Sequence, residues 1–66
     1  MTEAATRYHV TLSLDGHPVM DGWWGRDDTA GSQFRRIVGK YKRGGARIVL
    51  TDTETGDRLD AWPEEP

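Results

Sequence analysis

Between Tyr8 and Leu14 apolar and polar residues alternate without a break, Tyr8, Val10, Leu12 and Leu14 against His9, Thr11 and Ser13. A period of two puts one set on each face of a β-strand. Asp15-Gly16 follows at once, and such a pair accepts the positive backbone angles of a tight hairpin turn. The chain is therefore expected to return through a second strand from Val19 to Trp24. A hairpin with one apolar face needs another element to cover it.

The cover comes next in the sequence. Asp27, Asp28 and Thr29 offer capping oxygens and negative charge ahead of Phe34, Ile37, Val38 and Tyr41, whose spacing of three and four makes one helical stripe. This predicts a helix from Thr29 to Arg43, stopped by Gly44-Gly45. Gly31 and Gly39 inside it each cost up to ~1 kcal/mol relative to alanine, so packing must hold the helix. From Ala46 to Trp62 a second hairpin is expected around Thr53-Glu54-Thr55-Gly56, with Gly56 in the left-handed region. Closing that loop pairs Leu50 with Leu59 and Ile48 with Ala61 on the core face. It sets Val49 against Asp60 and Arg47 against Trp62 on the other face.

The register of the first hairpin is open at this level. A loop of two or four residues puts Val19, Asp21 and Trp23 on the face of Leu12; a three-residue loop puts Pro18, Met20, Gly22 and Trp24 there. The second arrangement is favoured because it keeps the Asp21 carboxylate out of the core. Under either, the adjacent Trp23 and Trp24 point to opposite faces.

The fold class read from this order is α+β, a ββαββ chain whose four-stranded sheet carries one helix on one face and leaves the other open. Residues 1–6 are expected to be a flexible lead-in, 7–62 the single domain and 63–66 an acidic tail. With 66 residues there is room for one core and no second domain. The sequence has no cysteine, so neither disulfides nor thiolate zinc sites can staple it. It has no run of about 20 apolar residues and no basic segment leading into an apolar one. A cytoplasmic protein without membrane contact is the expectation.

The order of elements resembles the β-grasp fold, in particular the immunoglobulin-binding domains of protein G. The likeness rests on Tyr8-His9-Val10-Thr11-Leu12-Ser13-Leu14-Asp15-Gly16, on Phe34 and Tyr41, and on Asp52-Thr53-Glu54-Thr55-Gly56-Asp57. It implies that the first and last strands lie parallel and central, and it transfers no function. Ubiquitin-like modifiers and sulfur carriers of that fold end in Gly-Gly, whereas this sequence ends Trp62-Pro63-Glu64-Glu65-Pro66. Conjugation and sulfur transfer are accordingly not expected.

No nucleophile with its base, carboxylate pair or ligand cluster stands out, so no enzyme and no cofactor is expected. His9 and His17 are the only histidines. With Asp15 and Asp21 as neighbours they outline a metal site, but solvated surface histidines explain them more simply. Gly39-Lys40 and Gly44-Gly45 lie within or just after the helix, the wrong place for a phosphate loop.

Two surfaces remain. The open sheet face is expected to gather His9, Val19, Trp23, Arg47, Val49 and Trp62, and tryptophan and arginine are common anchors of protein interfaces. The plain alternative is that both tryptophans cap a very small core. The leading expectation is a non-enzymatic interaction module, an inhibitor, adaptor or regulatory subunit of chromosomal or phage origin. It would be a monomer or homodimer and bind a partner protein through His9, Trp23, Arg47, Val49 and Trp62. The alternative is a nucleic-acid-binding protein using Arg35, Arg36, Lys40, Lys42 and Arg43. On a helical wheel Arg36, Lys40 and Arg43 form one flank of the apolar stripe and Arg35 and Lys42 the other. The net charge of -2, with acids at both ends, weighs against it.

Overall fold

The computed structural model describes residues 7–63; the predicted lead-in 1–6 and the last three residues of the acidic tail lie outside the described residues. The chain forms five elements: β1 (Tyr8–Leu14), β2 (His17–Trp24), α1 (Asp27–Tyr41), β3 (Ala46–Asp52) and β4 (Asp57–Trp62). The strands form one antiparallel sheet in the order β2-β1-β3-β4, and α1 packs against β1, β2 and β3. This is the expected ββαββ arrangement.

The strand order departs from the one that the β-grasp likeness implies. β1 and β3 are the central pair and run antiparallel, while β4 is an edge strand. Composition accounts for this. β3 buries Ala46, Ile48, Leu50 and Asp52, every second residue, and burial of that kind needs a neighbour on each side. β4 carries Asp57, Arg58 and Asp60 and is exposed except at Ala61 and Trp62; charges of this sort discourage further pairing at an edge. The other edge, β2, contains Pro18, which edges tolerate and centres do not.

Both hairpins shift register by one residue, and this decides which side chains face the core. Asp15 and Gly16 both adopt positive φ, 52° and 84°, and Leu14 faces His17, so the first loop has two residues. Alone, such a loop would turn Asp21 and Trp23 inward. A bulge opposite Leu12 and Ser13 skips Val19, and beyond it Met20, Gly22 and Trp24 oppose Leu12, Val10 and Tyr8. The expected face assignment holds for Met20, Gly22 and Trp24, produced by a bulge instead of a three-residue loop, whereas Pro18, expected on the same face, opposes Ser13 on the other.

The second hairpin begins in the predicted register, with Asp52 opposite Asp57, Thr51 opposite Arg58, and Gly56 at a φ of 81°. A shift then skips Leu59, so that Asp60 opposes Leu50, Ala61 opposes Val49 and Trp62 opposes Ile48. The expected pairs past the turn are overturned: Leu59 stands 48% exposed, Ala61 joins the open face, and Trp62 joins the core face.

The core consists of Tyr8, Val10, Leu12, Ala30, Phe34, Ile48 and Leu50, with Leu14, Trp24, Ile37, Val38, Tyr41 and Trp62 packed around it. α1 starts and ends two residues earlier than predicted. Its N-cap is Arg26, without a side-chain cap bond. Asp27 and Asp28 lie in the first turn and act there as charge at the positive end of the helix dipole. The extended backbone of Lys42, with ψ 117°, leaves Lys42 and Arg43 in the loop to β3. No helix among the described residues is long and apolar enough to cross a membrane.

Candidate functional site

On the face of the sheet away from α1, the strand pairings assemble two rows. Trp23, His9, Thr51 and Arg58 form one; Asp21, Thr11, Val49 and Ala61 form the next. Arg47, opposite Ser13, lies beyond the second row. The His9 ring stacks on the Trp23 indole with centroids 3.8 Å apart and planes within 8°. Its Nε2 lies 3.0 Å from Asp21 Oδ2. An ionised carboxylate only accepts hydrogen bonds, so this contact assigns the proton to Nε2. The three side chains thus brace one another, Asp21 holding the imidazole and the imidazole holding the indole.

Despite the stack Trp23 remains 46% exposed. At the β2 edge beside it, Thr11, Pro18, Val19, Met20 and Asp21 line a hollow of about 260 Å³, opened where the bulge lifts Val19 out of register. Four of the five predicted partner-binding residues, His9, Trp23, Arg47 and Val49, share the open face. Trp62 does not. It lines a groove of about 340 Å³ between α1 and β4 with Phe34, Arg35, Val38 and Pro63, on the opposite side of the sheet, because the slip at Leu59 inverted its orientation. Arg35, Arg36, Lys40, Lys42 and Arg43 are all exposed, three on α1 and two in the loop after it. His17 is exposed at the start of β2, and no group of three or more metal-ligating side chains exists among the described residues.

Sequence reasoning missed one buried ionic group. Asp52 is 6% exposed and receives Arg7 Nε at 2.9 Å, Arg7 Nη2 at 2.8 Å and the Glu54 N–H at 3.0 Å. The Arg7 guanidinium holds the Asp52 carboxyl below its usual range, against the opposing effect of desolvation. The Thr53 N–H and hydroxyl both donate to the Arg7 carbonyl, at 2.9 and 2.6 Å. This is a tie between the start of β1 and the turn after β3, with its hydrogen bonds satisfied internally. Its signal was present in the alternation of β3, which puts Asp52 in phase with Ile48 and Leu50, where a carboxylate demands a cation. A second pair joins Arg26 to Asp28 at 3.0 Å. That hydrogen bonding, with the Thr29 N–H, brings the Asp28 carboxyl down to about 2. Comparison with protein-family models, with curated proteins and with solved structures gives no match to this chain.

Proposed function

We propose that this protein is a non-enzymatic interaction module that binds a partner protein through the open face of its sheet, with Trp23 as the anchor. The observation that carries this reading is the braced, half-exposed indole. Tryptophan is among the side chains that dominate binding energy at interfaces, and a side chain already held in one orientation loses little freedom when a partner covers it. Around it the face has the composition of an interface: Thr11, Val49 and Ala61 in the middle, Asp21, Arg47 and Arg58 towards the margins, and a hollow at the β2 edge. Occupying a surface is the way an inhibitor, adaptor or regulatory subunit acts, and a cysteine-free domain is suited to the cytoplasm.

Trp23→Ser combined with Val49→Asp changes two outward side chains and is expected to leave circular dichroism native. A partner retained by the immobilised wild-type protein should be lost by this double variant and kept by Arg36→Gln, on the far side of the molecule. Retention of the same partner by the double variant sinks the reading, as does a wild-type protein that retains none.

A further inference from the structure

We propose that a second surface, the outward side of α1 and the loop after it, binds the phosphate backbone of a nucleic acid through Arg36, Lys40 and Arg43, flanked by Arg35 and Lys42. This goes beyond the protein partner proposed above and uses none of the same residues.

The first support is the way folding distributes charge. From Thr29 to Thr51 the sequence contains no acidic residue, while Arg35, Arg36, Lys40, Lys42, Arg43 and Arg47 all fall within it. Trp24, Tyr8 and Asp52 lie side by side across the sheet, so α1 begins at the end of the molecule that carries Asp52, Glu54 and Asp57. It descends to the other end, where Ala46 lies beside Leu14. Asp27 and Asp28 stand at its acidic start, and Arg7 and Arg26 pair there with Asp52, Glu54 and Asp28. Five of the described acids, Asp27, Asp28, Asp52, Glu54 and Asp57, are thus gathered at the end of the sheet opposite the loop after α1. Two described acids do lie beside this surface: Asp15, whose N–H donates to the Gly45 carbonyl at 2.8 Å, and Asp60, which shares a groove with Arg35.

Second, none of Arg35, Arg36, Lys40, Lys42 and Arg43 forms an ion pair with a described carboxylate. All five residues are exposed, the Lys40 ammonium lying 5.6 Å over the Tyr41 ring, and exposed charge of one sign steers polyanions. Third, Arg36 and Lys40 are one helical turn apart, about 6 Å along the axis, and Gly39 lies next to Arg36 on the outward side. A Cβ at Gly39 would meet nothing within 4 Å. Glycine in a helix interior is unfavourable, and it leaves a low point where another backbone can approach closely.

The same surface fits a membrane or an acidic protein less well. An interfacial helix needs a free apolar face, and here Phe34, Ile37, Val38 and Tyr41 are turned onto the sheet. The exposed large apolar residues, Val19, Met20, Trp23 and Leu59, belong to β2 and β4; the rings beside the basic side chains, Tyr41 under Lys40 and Trp62 in the groove with Arg35, are packed against the core and leave little apolar area for a protein partner.

The test is fluorescence anisotropy of a labelled duplex of about 20 base pairs, beginning at about 20 mM salt and raising it, since counterion release makes such binding salt-dependent. Binding at low salt is expected, with the logarithm of the association constant falling against the logarithm of salt at a slope of about -3 for three contacts. Single Arg36→Gln, Lys40→Gln and Arg43→Gln changes should each lower that slope by about one. The triple variant should bind at least ~10-fold more weakly, with native circular dichroism. Trp23→Ser should bind the duplex as the wild type does, which separates failure here from failure of the sheet-face reading. No binding to the duplex at low salt, equal binding by the triple variant, or binding to phosphatidylserine vesicles without binding to the duplex would each overturn the proposal.

Discussion

Trp23 and Trp24 differ in what lies beneath them. Trp23 rests on an imidazole, whereas Trp24 folds its ring back over Gly22, two residues earlier on the same face of β2. A Cβ built on Gly22 would lie 2.9 Å from Trp24 Cζ3 and closer still to Cη2. The ring cannot simply swing away, because it packs against the core cluster. Gly22→Ala is therefore expected to destabilise by ~1–3 kcal/mol, the usual cost of overpacking. For a domain of 66 residues each kcal/mol corresponds to roughly 4–8 °C in melting temperature. Gly39→Ala is the opposite case, since nothing lies within 4 Å of the new methyl group and the position is helical. Removing the backbone entropy of that glycine should stabilise by ~0.5–1 kcal/mol. Thermal melts of the two variants on either side of the wild type would establish both environments; a neutral Gly22→Ala would mean that the indole has another place to go.

At the level of elements the two bulges matter most, because each lies on an edge strand and each sets which face the residues beyond it occupy. Leu59 is the residue that the bulge skips, so deleting it should remove the bulge and leave Asp60 opposite Leu50 and Trp62 opposite Ile48, with the indole still beside Phe34 and Val38. Trp62→Ala does remove that indole, and losing a large core side chain costs up to ~3–5 kcal/mol, so urea denaturation should show this variant melting far below the wild type. Leu59→Thr keeps the bulge, removes only an exposed side chain, and should stay within about 0.5 kcal/mol. Unbroken periodicity made β1, β3 and the stripe of α1 legible in the sequence, and with them His9, Trp23, Arg47 and Val49 as neighbours on one face. Leu59 was not legible, because an apolar residue between Arg58 and Asp60 reads as pointing inward, and only the pairing with β3 shows that it is skipped. Strand order escaped for a different reason. A helix leaving β2 can deliver β3 beside β1 or one strand further away without changing its direction, and local periodicity is the same in both.

The fold as a whole is closed by Arg7 and Asp52, 45 residues apart in sequence, which join the first residue before β1 to the last residue of β3. The carboxyl of Asp52 is held below its usual range by the hydrogen-bonded Arg7 side chain, and that gives the molecule a definite acid response. A group whose pKa is lower in the folded than in the unfolded chain contributes stability above its unfolded pKa. That contribution is lost as pH falls through the folded value. Stability should thus be level at neutral pH and decline below the ordinary carboxylate range, about pH 4. Asp28 adds to the decline in the same direction, but weakly, because its partner Arg26 and its own side chain are 76% and 65% exposed and surface pairs of this kind contribute little. Asp52→Asn removes the charge and keeps the shape. Urea denaturation from pH 7 to pH 3 should show this variant less stable than the wild type at neutral pH, with a flatter profile, and the two curves should converge towards acid as the wild-type carboxyl takes up its proton. If Asp52→Asn kept the full acid dependence while Asp28→Asn lost it, the link across the sheet would be replaced by the helix start as the group that governs acid unfolding.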